Sequence, residues 1–178
     1  MPPNPKSPYA ADKLHGENLC KVFSAVYGLE CVALRYFNIF GPKQKPDSAY
    51  AAVIPRFVDA LVRGTKPTIY GDGEQSRDFT FVRNAVRANL LAAEQPNVAG
   101  QVVNVGNGVR TTLNELLQLI AAELGVAALA TYAPERAGDV KHSLADISLA
   151  KQVIGFAPKV LFDDGLKRSI EWYRKNLS

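Results

Sequence analysis

The chain has 178 residues, 47% of them hydrophobic, with a formal net charge of +4 and a pI near 9.1. That length supports one core or two small lobes sharing an interface, and the composition belongs to a soluble globular class. Its basic residues are scattered, with no run longer than Lys43-Gln-Lys45, which favours a small anionic ligand over nucleic acid, and no apolar stretch reaches the roughly eighteen residues a membrane span needs.

In chain order, Ser7 as N-cap and Pro8 at the first helical position open a helix that Gly28 closes, with Leu19, Val22, Phe23 and Val26 as its apolar stripe. Residues 31–37 read as a strand without alternation, the pattern of a strand covered on both faces in a parallel sheet, with neighbours on either side. A helix over about 51–63 places Ile54, Phe57, Val58, Leu61 and Val62 on one face, and Pro55 fits its first turn. Strands are expected at 68–70 and 79–81 around the turn Gly71-Asp-Gly73, then a helix over 82–94 and a strand at 102–105. Thr112 and Glu115 form a capping box for a helix carrying Leu113, Leu116, Leu117, Ile120 and Leu124, stopped by Gly125. A strand near 129–132, a polar loop through Arg136 and Asp139, a short helix after Asp146 and a last helix from Asp163 or Asp164 to Asn176 complete the chain. Cys20 and Cys31 have no third cysteine, and His15 and His142 match no metal-ligand spacing, so no metal site is expected. The amino terminus lacks an apolar leader, so a cytoplasmic setting is expected.

Tyr9 and Lys13 lie one turn apart on one face of the first helix. A free phenol is almost wholly protonated at neutral pH, and an ammonium group one turn away favours the phenolate. Such a phenol can take a proton from a sugar hydroxyl as hydride leaves the same carbon. Taken by itself, the spacing also fits a surface tyrosine beside a solvated lysine.

Several runs place this pair in context: Ser7-Pro-Tyr-Ala-Ala-Asp-Lys13, Leu34-Arg-Tyr-Phe-Asn-Ile-Phe-Gly-Pro42, Ala49-Tyr-Ala-Ala-Val-Ile-Pro-Arg56, Ile69-Tyr-Gly-Asp-Gly-Glu-Gln-Ser-Arg-Asp-Phe79, Val103-Asn-Val-Gly106 and Arg136-Ala-Gly-Asp-Val140. Together, and in this order, they resemble the extended short-chain dehydrogenase/reductase family, in particular its UDP-glucose and UDP-N-acetylglucosamine 4-epimerases. The resemblance implies an α/β fold, with part of a Rossmann-like parallel sheet and a smaller C-terminal substrate-binding α/β lobe. Residues 1–50 would belong to the Rossmann domain, and 51–178 mostly to the substrate lobe, with segments near 79–106 returning to the sheet. It also implies NAD as cofactor and a UDP-hexose as substrate.

On that resemblance Tyr9 would be the acid/base and Lys13 would hold the nicotinamide ribose, while Tyr36 and Phe37 would line the nicotinamide. Asn38 would reach the substrate diphosphate, Ala52 and Val53 would lie near sugar and uracil, and Tyr70 would pack near the uracil. Arg77 and Arg136 would neutralise the diphosphate, a task that suits planar guanidinium groups, and Asp139 would accept from a ribose hydroxyl. Ser143 and Ala52 would be the small residues that leave room for an acetamide. Other readings stand beside these: Arg77 pairing with Asp78 or Glu74, Arg136 with Glu135 or Asp139, Asn38 capping a turn, Phe37 and Tyr70 as core aromatics, and His142 as structural or exposed.

The chain departs from the family in having no Gly-x-x-Gly-x-x-Gly turn for a dinucleotide pyrophosphate. It also lacks the serine or threonine that would stand beside Tyr9, and Arg83 occupies a position where relatives usually carry an acid. It therefore reads as the C-terminal portion of an epimerase, inactive alone and unable to hold NAD unaided. Association as a homodimer or larger species is expected through the Tyr9 helix and an exposed sheet edge. The alternatives are a nucleotide-sugar binder or inert dimerising remnant, and a part of a nucleotide-sugar 4,6-dehydratase or reductase.

Overall fold

The structure is a computed structural model that describes residues 3–46, 52–135 and 140–176. Helix α1 (Pro8–Tyr27) begins where the Ser7 hydroxyl accepts the Ala10 amide at 3.1 Å and ends at Gly28, whose φ of 67° lies in the left-handed region glycine favours. Its apolar stripe faces outward, with Leu19, Val22, Phe23 and Val26 42–66% exposed, and none of its 20 residues is buried. Polar contacts dock it instead. Glu17 pairs with Arg35, the Cys31 thiol donates to the Cys20 carbonyl at 3.0 Å, and the Ser24 hydroxyl donates to Leu29 at 2.8 Å.

Strand β1 (Ala33–Tyr36) runs parallel to β6 (Val102–Val105), in register from Ala33 opposite Val102 to Tyr36 opposite Val105. This departs from the pattern of a strand with neighbours on either side and both faces covered, and it agrees with the exposed sheet edge expected beside it. Among the described residues β6 is its one partner, and its residues are half-buried except for the exposed Tyr36. An apolar run records a capacity for burial, and the burial itself must come from other segments.

Three further short ladders follow. Strand β2 (Ile39–Phe40) pairs in parallel with β5 (Thr80–Phe81), β3 (Thr68–Tyr70) in parallel with β8 (Thr131–Ala133), and β4 (Ser76–Arg77) antiparallel with β7 (Thr111–Thr112). The helices are α2 (Val53–Val62), α3 (Val82–Glu94), α4 (Leu113–Leu124), α5 (Ser148–Ile154) and α6 (Phe162–Asn176). The fold is thus mixed α/β with short, mostly parallel ladders. The expected capping box is present on α4, with the Thr112 side chain on the Glu115 amide and the Glu115 carboxylate on the Thr112 amide. Arg83, at the second position of α3, is exposed and the helix starts regardless, while the adjacent Asn84 is buried.

The larger core gathers α2, α4 and α6 over β2, β3 and β5. At its centre the Phe40 ring meets Phe79, Phe81 and Phe162 at centroid distances of 6.4, 5.7 and 5.6 Å, all edge-on. Gly165 permits the close approach of α6, because a Cβ there would fall 2.8 Å from the Phe81 ring. A second cluster, around Val103, Val105, Ala88, Ile154 and Phe156, joins α3, α5 and β6. No helix among the described residues is long and apolar enough to cross a membrane.

Candidate functional site

The first turns of α1 bring Tyr9 and Lys13 to one side, with the Lys13 Nζ 5.2 Å from the centre of the Tyr9 ring. Tyr9 is 73% exposed. Both residues line an open groove of about 810 Å³ together with Glu17, Arg35 and Tyr36. Glu17, one turn beyond Lys13, binds Arg35 through both oxygens, at 2.5 Å from Nε and 2.6 Å from Nη2. The hydrogen bond to Glu17 pushes the Arg35 pKa up, and the bidentate pair sets the rotation of α1 against β1. Tyr36 donates its hydroxyl to Asn89 on α3 at 2.9 Å, and the half-buried Phe37 donates its amide to Val105 at 3.0 Å.

The chain then passes from this groove into a cavity of about 540 Å³ whose wall contains Asn38, Ala52, Val53, Tyr70 and Arg77. Asn38 has a φ of 34°, a conformation uncommon outside glycine. It is held there by its Nδ2 donating to the Asp78 carbonyl at 3.1 Å and its own carbonyl accepting from Thr80 at 3.2 Å. Arg77 donates Nη1 to the carbonyls of Ser76 at 2.9 Å and Lys141 at 3.2 Å. Ala52 stands at the N-cap of α2 without a side-chain cap bond, and Val53 is the first helical residue. Tyr70 is 36% exposed, and its carbonyl accepts from the Gln75 side chain.

Ser143 lies outside this wall, half-buried, with its amide donating to Ser76 at 3.0 Å. Its neighbour His142 is exposed, with Nδ1 2.9 Å from the Ser76 hydroxyl. Arg136 and Asp139 lie outside the described residues.

Sequence reading missed Arg56 and Lys66, which add two cations to the cavity wall, and among the described residues no carboxylate is in its lining. Arg56 stands at the end of the run 49–56, and helical periodicity leaves it off the apolar face formed by Ile54, Phe57, Val58, Leu61 and Val62. The same reading named Asp78 only as a possible partner of Arg77; Asp78 is fully buried and its carboxylate accepts three backbone amides: Asn107 at 2.7 Å, Gly108 at 2.9 Å and Ala145 at 3.2 Å. Chemically, the arrangement sets a cationic, partly aromatic cavity suited to a planar base and an anionic group beside a groove carrying a phenol and an ammonium.

The model of the NAD dependent epimerase/dehydratase family matches residues 1–106. A putative UDP-glucose 4-epimerase from Methanocaldococcus jannaschii is 38% identical over 98% of this chain and 56% of its own length. A crystal structure of UDP-glucose 4-epimerase with UDP-glucose, from Thermotoga maritima, superposes with a TM-score of 0.93 at 41% identity, covering 99% of this chain and 56% of that one. The UDP-N-acetylglucosamine 4-epimerase from Methanobrevibacter ruminantium, in complex with UDP-N-acetylmuramic acid, gives 0.91 at 46% identity, covering 97% and 55%. The chain therefore spans about half the length of the relatives it matches, corresponding to their C-terminal part.

Proposed function

The chain belongs to the NAD-dependent epimerase/dehydratase family, and from that premise we propose that it carries the acid/base pair and most of the substrate pocket of a UDP-sugar 4-epimerase. The observation that supports this most is the joining of two features by one short segment. Arg35 and Tyr36 share a groove with Tyr9 and Lys13, and Asn38 opens the cavity that Tyr70 and Arg77 also line.

In this reading the uracil lies near Tyr70, Ala52 and Val53, and the diphosphate lies against Asn38 and Arg77, with Arg136 and Asp139 completing the nucleotide contacts. Tyr9 removes the proton from the sugar C4 hydroxyl and later returns it. Lys13 supplies the positive charge that a phenolate needs beside it. Tyr9, Lys13, Tyr36 and Phe37 fit the nicotinamide and its ribose, whereas no glycine-rich turn in the 178 residues fits the pyrophosphate of NAD. When bound, NAD supplies the acceptor and then the donor of the C4 hydride. Ala52 in the wall supports an N-acetylated hexose, because its small side chain leaves room for an acetamide. Ser143, placed outside the wall, lends that choice no further support. A cytoplasmic setting belongs to the same reading and is supported by Cys20 and Cys31, both free thiols.

Calorimetric titration of the purified chain with UDP, UDP-N-acetylglucosamine and NAD tests the proposal. Weak binding of the two uridine nucleotides is expected, with NAD no tighter than about millimolar and no epimer formed. Turnover by the chain alone would contradict the division of labour proposed here. In the same titration Arg77→Ala is expected to cost about 2 kcal/mol of UDP affinity through a lost charge-assisted hydrogen bond; an unchanged affinity would remove Arg77 from the site.

A further inference from the structure

We infer that Asp78 is a positioning residue for the anion-binding end of the cavity, acting through the backbone it gathers and touching no ligand itself. Asp78 is fully buried and is not part of the cavity wall, yet it adjoins Arg77 in sequence and its carbonyl receives the Asn38 carboxamide at 3.1 Å. A buried carboxylate is tolerated when donors surround it, and here three amides from two separate segments do so. One segment is the turn after β6. There Gly106 is required, because a Cβ would fall 2.3 Å from the Ala145 Cβ and 2.8 Å from Asp78 Oδ2.

The other segment carries the carbonyl that supports the Arg77 guanidinium. Its strap on β4 consists of the Ser76 amide on the Lys141 carbonyl at 2.9 Å and the Ser143 amide on the Ser76 carbonyl at 3.0 Å. Two residues further on, the Ala145 amide ends on Asp78. Releasing that end loosens the strap at Lys141, and with it the acceptor that orients Arg77. The carboxylate side chain and the backbone carbonyl of one residue therefore bear on two polar groups of the wall, Arg77 and Asn38. Neighbours joined in one such network couple energetically, so a change at the hub should be felt at the wall.

The inference rests on the reading of the cavity as a nucleoside diphosphate site, and its test separates the two. Asp78→Asn keeps the shape but turns an NH₂ group toward amide donors, leaving at least one of them without an acceptor. By calorimetry this variant is expected to bind UDP about tenfold more weakly than the parent chain while binding uridine, which has no phosphate, as the parent does. Equal UDP affinity, or losses of UDP and uridine in the same proportion, would overturn the inference.

If the parent chain binds no UDP, the cavity reading fails and amide hydrogen exchange decides the hub. Ser76 and Ser143 should then exchange about tenfold faster in the variant with Leu116 and Ile120 unchanged; unaltered rates at Ser76 and Ser143 would overturn it. If the variant does not fold, the parent chain decides: saturating UDP should slow exchange at Ala145, which lies outside the cavity, and an unchanged rate there would overturn the inference.

Discussion

Tyr173 is fully buried on α6, and its hydroxyl donates to the carbonyls of Gln44 at 2.8 Å and Gly41 at 3.2 Å, so the last helix pins the loop after β2. Burial pushes its pKa up to about 12. An unfolded tyrosine releases its proton near 10, so between those values the folded state binds more protons. The contribution is full below about pH 10 and is lost as pH rises toward about 12. Urea midpoints measured between about pH 8 and 11 should fall at the alkaline end, and Tyr173→Phe, which has no proton to release, should flatten that fall. Asn84 works in the same way on the other side of the core: its Oδ1 accepts the amides of Lys159 and Val160, and its Nδ2 donates to the Val160 carbonyl at 2.7 Å. Asn84→Ala would leave all three backbone groups without partners, and a loss of about 2–3 kcal/mol is expected from urea unfolding. Neither Asn84 nor Asp78 announced itself in the sequence, because a lone asparagine or aspartate says nothing about amides brought to it from distant parts of the chain. Tyr9 and Lys13 were visible because both stand on one helix, where spacing alone fixes the face they share.

Helix α4 owes its start to the Thr112 and Glu115 capping box and its setting to Leu116, Leu117 and Ile120, all buried. Thr112→Ala is expected to cost about 1 kcal/mol, read as a lower urea midpoint with an unchanged slope. Helix α1 is capped at both ends but has no fully buried residue, and caps alone sustain isolated helices only marginally. Its amides should therefore exchange much faster than those of α4; equal protection would mean that α1 has found cover in solution. The contrast also explains which elements could be read in advance. Helices with an apolar periodicity and recognisable stops, such as α1 and α4, fell where expected. The two-residue strands β2, β4 and β7 were missed because a period of two cannot show itself in two residues. The run 31–37 was apolar enough to imply cover on both faces, but a run of residues does not say where that cover comes from.

At the scale of the molecule, the outward stripe of α1 and the single-partnered β1 leave apolar surface beside an open sheet edge, the combination that draws chains together. We propose self-association there. Size-exclusion mass should rise with concentration, and Val22→Lys with Val26→Lys should reduce it; a constant monomer mass would count against the idea. The larger core is formed without any residue of α1, since α2, α4 and α6 close over Phe40 and its neighbouring rings. The cavity and the helix that carries the phenol are therefore mounted on separate foundations. On gentle warming, the helix that carries Tyr9 and Lys13 should melt while the cavity around Asn38 and Arg77 endures, so the phenol would lose its place before the cavity loses its shape.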